Sequence, residues 1–236
     1  MNPFSALLDL FLPRICHVCE TKLLHDEEFI CSSCIEKLPL TGYDKYWDNK
    51  TGINTDLNPM EQRFAGQLPL DRACAPYFYT RDSSLATLVH DFKYRGFSKL
   101  AVTMGRMGAN ALRPSEFFDH IDLLLPIPIH WTKKHRRGYN QSELIARGIS
   151  EVTGIPVGLQ LRARKPHRTQ TSLTSEQRIA NTKNVFSVNH PESLEGKRIM
   201  LVDDICTTGA TLLSAGETLA ASSEGVRLSL FTLGVV

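Results

Sequence analysis

Apolar positions along the chain form short continuous runs alternating with stripes at helical spacing. Residues 199–202 (IMLV) are a continuous apolar run bounded by charge and too brief for a helix, which predicts a short buried strand. Residues 73–79 (ACAPYFY), 121–128 (IDLLLPIP), 157–161, 185–188 and 227–235 (RLSLFTLGV) read as further strands, with the prolines of 121–128 at that strand's end. Helical spacing predicts helices over 84–92, where Leu85, Leu88 and Val89 share a face, over 98–112 and over about 142–152. A short helix is predicted over 175–184, capped by Ser175 and carrying Gln177, Arg178 and Asn181, and another after Thr211, where Leu212, Leu213, Ala215, Leu219 and Ala220 recur. The first residues read as an amphipathic lead-in helix ending at Pro13. From residue 39 to about 70 periodicity gives way to Gly, Asn, Asp and Pro, a long connector in which Tyr43, Tyr46 and Trp47 are expected to pack locally. Strands alternating with helices predict a parallel α/β sheet, whose ligands sit beyond the C-terminal strand ends. The expected organisation is a lead-in helix and cysteine module over 1–38, an irregular connector over 39–72 and the α/β domain over 73–236.

Candidate chemistry gathers behind the strand at 199–202. Asp203 and Asp204 follow it, then the turn Thr207, Thr208, Gly209, Ala210 and Thr211, which opens a helix. Exposed N–H groups and the positive end of a helix suit a phosphate, and threonine hydroxyls add donors. The acid pair suits instead the hydroxyls of an attached sugar, or a divalent metal beside it. The alternative is an ordinary strand, turn and helix with a capping Thr and two solvated acids. Two basic stretches lie elsewhere. Lys133, Lys134, Arg136 and Arg137 precede Gly138, Tyr139, Asn140 and Gln141 in a predicted loop after residue 128, and Arg162, Arg164, Lys165, Arg168, Thr169 and Gln170 form a second after residue 161. Each alone reads as a solvated face; two beside a phosphate turn suit a compact polyanion such as pyrophosphate chelated by Mg²⁺. Lys93 and Arg95, just before Gly96, either complement a helix C-terminus or face that anion.

Composition narrows the class. The chain has 236 residues, 42% hydrophobic and 22% charged, which excludes a disordered chain, and no apolar run reaches the ~20 residues a bilayer span needs. Net charge is only +2, so nucleic-acid binding would have to come from local patterning. The N-terminus lacks a basic leader, carries Asp9 in its apolar run and shows no small-residue cleavage site before Cys16, so a cytoplasmic location is expected. Cys16, Cys19, Cys31 and Cys34 make two C-x2-C knuckles with eleven residues between them. That spacing predicts a structural four-thiolate zinc site; the competing redox reading lacks a thioredoxin-like setting. His17 and His25 could stand in as ligands, but places beside the site or on the surface are the expectation. Cys74 and Cys206 stand alone, and neither is assigned as a nucleophile.

Val202, Asp203, Asp204, Thr207, Thr208, Gly209 and Thr211 closely resemble the ribose-phosphate loop of type I phosphoribosyltransferases. Lys93-Tyr94-x-Gly96, the P-I-P of residues 126–128, R-x-G-Y-N-Q from Arg136 to Gln141, Arg168, Gln170, Arg178, Asn181 and the four cysteines extend the pattern over nearly the whole chain. It resembles the ComF family (ComFC/GntX-type proteins). The fold this implies is a parallel-sheet type I phosphoribosyltransferase (Rossmann-like) domain with a five-stranded core sheet and a small N-terminal zinc module. The implied ligands are phosphoribosyl pyrophosphate (PRPP) and Mg²⁺ at the strand ends. Asp203 and Asp204 would then hold the ribose 2′- and 3′-hydroxyls, and Thr207, Thr208, Gly209, Ala210 and Thr211 the 5′-phosphate. Lys93, Arg136, Arg137 and Gly138 would face the pyrophosphate, with Arg168 and Gln170 on a loop over 162–171 that closes the site. The implied reaction is displacement at the ribose C1′ by a nitrogen nucleophile; no residue presents itself as general base, which leaves the acceptor unidentified. The family is associated with natural transformation and the use of imported DNA. Its implied partners are PRPP or a related ribose phosphate, single-stranded DNA, and DNA-uptake helicase or processing proteins. Three functions stay open: a working phosphoribosyltransferase, a module that senses PRPP or a nucleotide without turnover, and a single-stranded-DNA-binding part of an uptake complex. Trp131 and Tyr139 are compatible with base stacking in the last, although Tyr139 occupies a motif position.

Overall fold

A computed structural model of the chain describes residues 13–46, 56–164 and 185–236. The expected lead-in helix, Trp47, the helix over 175–184 and the residues Arg168, Gln170, Arg178 and Asn181 lie outside the described residues. In chain order the elements are α1 (Ser32–Glu36), α2 (Pro59–Gln62), β1 (Leu70–Cys74), β2 (Tyr77–Phe78), α3 (Ser84–Tyr94), α4 (Ser98–Leu112), β3 (Leu123–Pro126), α5 (Trp131–Arg137), α6 (Gln141–Thr153), β4 (Leu161–Ala163), β5 (Phe186–Val188), β6 (Arg198–Cys206), α7 (Ala210–Ser222) and β7 (Arg227–Val235).

The main sheet has five strands in the order β1-β7-β6-β3, and every pairing in it is parallel. β2 pairs with β7 beyond β1, Tyr77 opposite Gly234, so the two make one edge interrupted at Ala75 and Pro76. The strand expected over 73–79 is therefore two pieces, because Pro76 has no N–H to give a ladder. The two-residue side-chain period sorts the central strands into two layers. Met200, Val202, Phe231 and Leu233 pack with α3, α4 and α6, while Ile199, Leu201, Leu228 and Leu230 pack with α2 and α7. The first layer also takes in Cys16, Leu23, Ile30, Cys34 and Leu38, so the cysteine module shares its core.

Three further expectations need correction. The basic stretch after residue 128 is helix α5, not a loop: His130 Nδ1 accepts from the Thr132 N–H at 3.4 Å, and Gly138 ends the helix in the left-handed region (φ 82°). Its polar residues carry no apolar stripe, so periodicity could not reveal it. The strand expected over 157–161 is only a bridge from Val157 to Leu124. Leu161 instead starts β4, antiparallel to β5 in a separate two-stranded sheet, where it is buried with Val185 and Phe186. Finally, the acid pair does not follow its strand: β6 runs nine residues, through Asp203 and Asp204 to Cys206. The described part of 39–72 carries the start of β1 and helix α2, whose cap is reciprocal. Asn58 Oδ1 accepts from the Met60 and Glu61 N–H groups, and Glu61 Oε2 accepts from the Asn58 N–H. No helix among the described residues is long and apolar enough to cross a membrane.

Candidate functional site

β3 ends where Pro126 sits opposite Val202 and the Ile127 N–H donates to the Val202 carbonyl at 2.8 Å, while β6 runs four residues further. At this edge Asp204, 6% exposed, is gripped from two helices. Gln141 Nε2 donates to Asp204 Oδ2 at 2.9 Å, and Lys93 Nζ lies 2.8 Å from the same oxygen. Asp203 Oδ1 accepts from the Ser142 hydroxyl at 2.8 Å and from the Asp204 N–H at 2.9 Å. Gln141 and Ser142 open α6, which Asn140 caps by accepting from the Ser142 N–H while its Nδ2 donates to the Ile127 carbonyl at 3.0 Å.

The motif from Arg136 to Gln141 thus ends one helix and starts the next, whose first residues Gln141 and Ser142 meet the acid pair. The Tyr139 hydroxyl donates to the Phe92 carbonyl in α3. Arg137 Nη1 donates to Gln141 Oε1 at 2.6 Å, and its guanidinium lies 5.2 Å from the Tyr94 ring centre. Arg137 therefore supports Gln141 in this structure, whereas Arg136 is exposed on α5.

Beyond β6, Thr207 and Thr208 are exposed and Gly209 is buried with φ 81°, and α7 starts at Ala210. The first amides of a helix have no partner within it and form a ready anion site. Gly209 is required by position as well as conformation, because a Cβ there would stand 2.8 Å from Phe64 Cζ. Arg63 braces the turn, donating from Nη1 to the Thr207 carbonyl and from Nη2 to the Val236 carbonyl, each at 2.6 Å. Ser142, Arg63 and Phe64 were not anticipated as parts of this site. Only the N-P-M-E cap of α2 signalled order in the segment that carries Arg63 and Phe64.

Burial, followed by the Asp204 charge, pushes the Asp203 carboxyl up to about 7. Between the ordinary carboxylate range and that value the folded protein holds a proton the unfolded chain has lost, so this group's contribution to stability falls as pH rises through the window. Without ligand or Mg²⁺, Asp203→Asn should unfold at a higher temperature than wild type at pH 8, with the gap closing towards pH 5. A gap that widens as pH falls would contradict this.

The four knuckle cysteines meet in one cluster, their Sγ atoms all within 4.8 Å of one another, with Cys19 and Cys31 at 3.6 Å. Sulfurs about 2.3 Å from a tetrahedral zinc stand nearly 4 Å apart, so the set fits such an ion. The N–H groups of Val18 and Cys31 each donate to Cys16 Sγ at 3.4 Å, which suits a thiolate. Hydrogen bonds from Thr21 bring the Cys19 thiol down to about 6. All four thiols are free, and four thiolates would close the coordination shell. His17 turns away to Asp91, and His25 is exposed. Burial pushes the Cys74 and Cys206 thiols up, which suits neither to nucleophilic work.

Residues 135–225 match the family model of the phosphoribosyl transferase domain. "Competence protein F" of Haemophilus influenzae is 32% identical over 133 residues, covering 54% of this chain and 58% of that protein. "Competence protein ComFC" of Bacillus subtilis is 27% identical over 219 residues, 89% of this chain and 86% of that protein. "DNA utilization protein YhgH" of Salmonella typhimurium is 27% identical over 222 residues, 89% of this chain and 92% of that protein.

Proposed function

The chain belongs to the ComF family, with a four-cysteine module ahead of a phosphoribosyltransferase-type domain, and on that premise we propose that it binds PRPP and passes the phosphoribosyl group to a nitrogen acceptor, in the service of DNA uptake or the use of imported DNA. The observation that carries this reading is the pre-set acid pair. Asp203 and Asp204 are oriented by Ser142, Gln141 and Lys93 near the end of β6, shortly ahead of the Gly209 turn that opens α7. In the reading Asp203 and Asp204 accept from the ribose 2′- and 3′-hydroxyls. Thr207, Thr208, Gly209, Ala210 and Thr211 surround the 5′-phosphate with N–H and hydroxyl donors. Lys93, held by Asp204 in the free protein, gains a second anion when pyrophosphate arrives beside it. Arg136 adds charge at that edge, and Gly138 and Arg137 shape it. Mg²⁺ carried with PRPP would neutralise the leaving pyrophosphate, and among the described residues the Asp203 and Asp204 carboxylates offer it anionic oxygens there. The chain's own work is to fix C1′ against the acceptor and to stabilise departing charge by pre-set donors.

The four cysteines are read as a structural zinc site, in a reducing compartment such as the cytoplasm. Metal analysis of the purified protein should find about one zinc per chain, and Cys16→Ser should lower it; full-length protein free of zinc would contradict the assignment. DNA contact has its own observation: Trp131, 71% exposed, shares α5 with the exposed cations Lys134 and Arg136.

Incubation with PRPP and Mg²⁺ against a panel of bases, amines and single-stranded oligonucleotides tests the reaction. Pyrophosphate release that depends on one acceptor is expected. PRPP binding without release for any acceptor would replace the transferase with a sensing module.

A further inference from the structure

A short chain of contacts joins the cysteine module to the acid pair. His17 lies between the knuckle residues Cys16 and Cys19, and its Nδ1 meets the Asp91 carboxylate at 2.6 Å. Asp91 is 2% exposed, and His17 is the one partner of its carboxylate among the described residues that is itself largely buried. His90 and Arg95 approach Oδ1 at 3.7 and 3.2 Å, both from exposed positions. The His17 ring is held edge-on by Phe97 at 4.4 Å and Phe29 at 5.7 Å between ring centres.

Asp91 belongs to the last turns of α3, two residues before Lys93. Two residues subtend about 200° around a helix, so Asp91 and Lys93 point to opposite sides of it. One side meets the cysteine module and the other reaches Asp204, at 2.8 Å from Lys93 Nζ. Tyr139 holds the same turn through the Phe92 carbonyl, from the motif that also supplies Gln141. Without His17 the buried Asp91 carboxylate keeps only the exposed Arg95 and His90 groups at Oδ1, and its move towards them or towards solvent displaces the turn carrying it.

We infer that His17 is a positioning residue for the acid-pair site: through Asp91 the cysteine module sets where the last turn of α3 places Lys93 against Asp204. The binding readout of this inference rests on the PRPP reading of that site; its exchange readout does not.

The test uses full-length, metal-loaded protein titrated calorimetrically with PRPP and Mg²⁺, with zinc measured in every variant. His17→Ala should bind about tenfold more weakly, the size of one lost hydrogen bond to a charged group. His17→Asn, which offers an N–H close to where Nδ1–H stood, should recover most of the loss. In a Lys93→Ala background, His17→Ala should cost less than about twofold, because the group it positions is gone. Asp91→Ala lies outside the module and should reproduce the loss; it decides the matter if His17→Ala proves to bind less zinc. Equal losses with and without Lys93, or a loss under about twofold in the wild-type background, would overturn the inference. A wild type that does not bind PRPP overturns the site reading instead. Hydrogen exchange then decides the coupling: Asp91→Ala and His17→Ala should both speed exchange in residues 92–95 and leave the middle of α4 unchanged, and unaltered exchange in 92–95 would overturn it.

Discussion

Replacing Asp203 and Asp204 together by Asn should abolish PRPP binding, weakening it by about a hundredfold or more while the chain stays folded. Each carboxylate in the reading accepts a charge-assisted hydrogen bond from a ribose hydroxyl, worth about 1.5–3 kcal/mol, so losing two removes about 3–6 kcal/mol. Asn keeps the shape and one acceptor, so the Ser142 and backbone contacts of Asp203 can persist. The cost to stability should fall on position 204, where Lys93, 18% exposed, would lose its anion. Calorimetry and thermal unfolding of the single and double variants separate the two effects. A folded double variant that binds PRPP like wild type would remove the acid pair from the site.

Gly148→Ala should be the most damaging of the small substitutions, lowering stability by about 3 kcal/mol or more and the unfolding temperature by roughly 10 °C. Intrinsic helix preference favours Ala over Gly by about 1 kcal/mol, so propensity alone predicts the opposite sign. Packing wins here. A Cβ at Gly148 would stand 2.1 Å from the Val102 carbonyl oxygen and 2.9 Å from the Arg106 nitrogen, both backbone atoms of α4. The reciprocal position, Gly105, would place a Cβ 2.2 Å from the Ile145 carbonyl oxygen of α6. Backbone cannot rotate aside as a side chain does, so α6 must shift as a body, carrying Gln141 and Ser142 away from the acids. PRPP affinity should fall with stability in this variant. Unfolding at the wild-type temperature would show that α4 and α6 can separate without cost.

These helices show what a single sequence reveals. Residues 98–112 and 227–235 were legible because one apolar stripe or run covers each from end to end, and the structure gives them the same bounds. The turn that opens α7 was legible because Gly209 and its threonines are local chemistry. The helical form of α5 was hidden, since a solvated basic helix has no apolar period to read. The split at residue 157 was hidden for a different reason: the partner of Leu161 is Val188, far along the chain, and burial there outcompetes extension along the main edge. Arg63 was hidden too. Its partners, the carbonyls of Thr207 and Val236, are backbone atoms brought near only by the finished sheet. The acid pair could be read as chemistry, but not that Lys93 and Gln141 would converge on Asp204, because those contacts cross two helices.

On the proposed function, a ribose phosphate sits where β6 passes into α7. Hydrogen exchange of the wild-type protein with and without PRPP and Mg²⁺ reads out that location. Protection is expected in residues 203–213 and in the last turn of α3. No protection there, or protection confined to other parts of the chain, would contradict it.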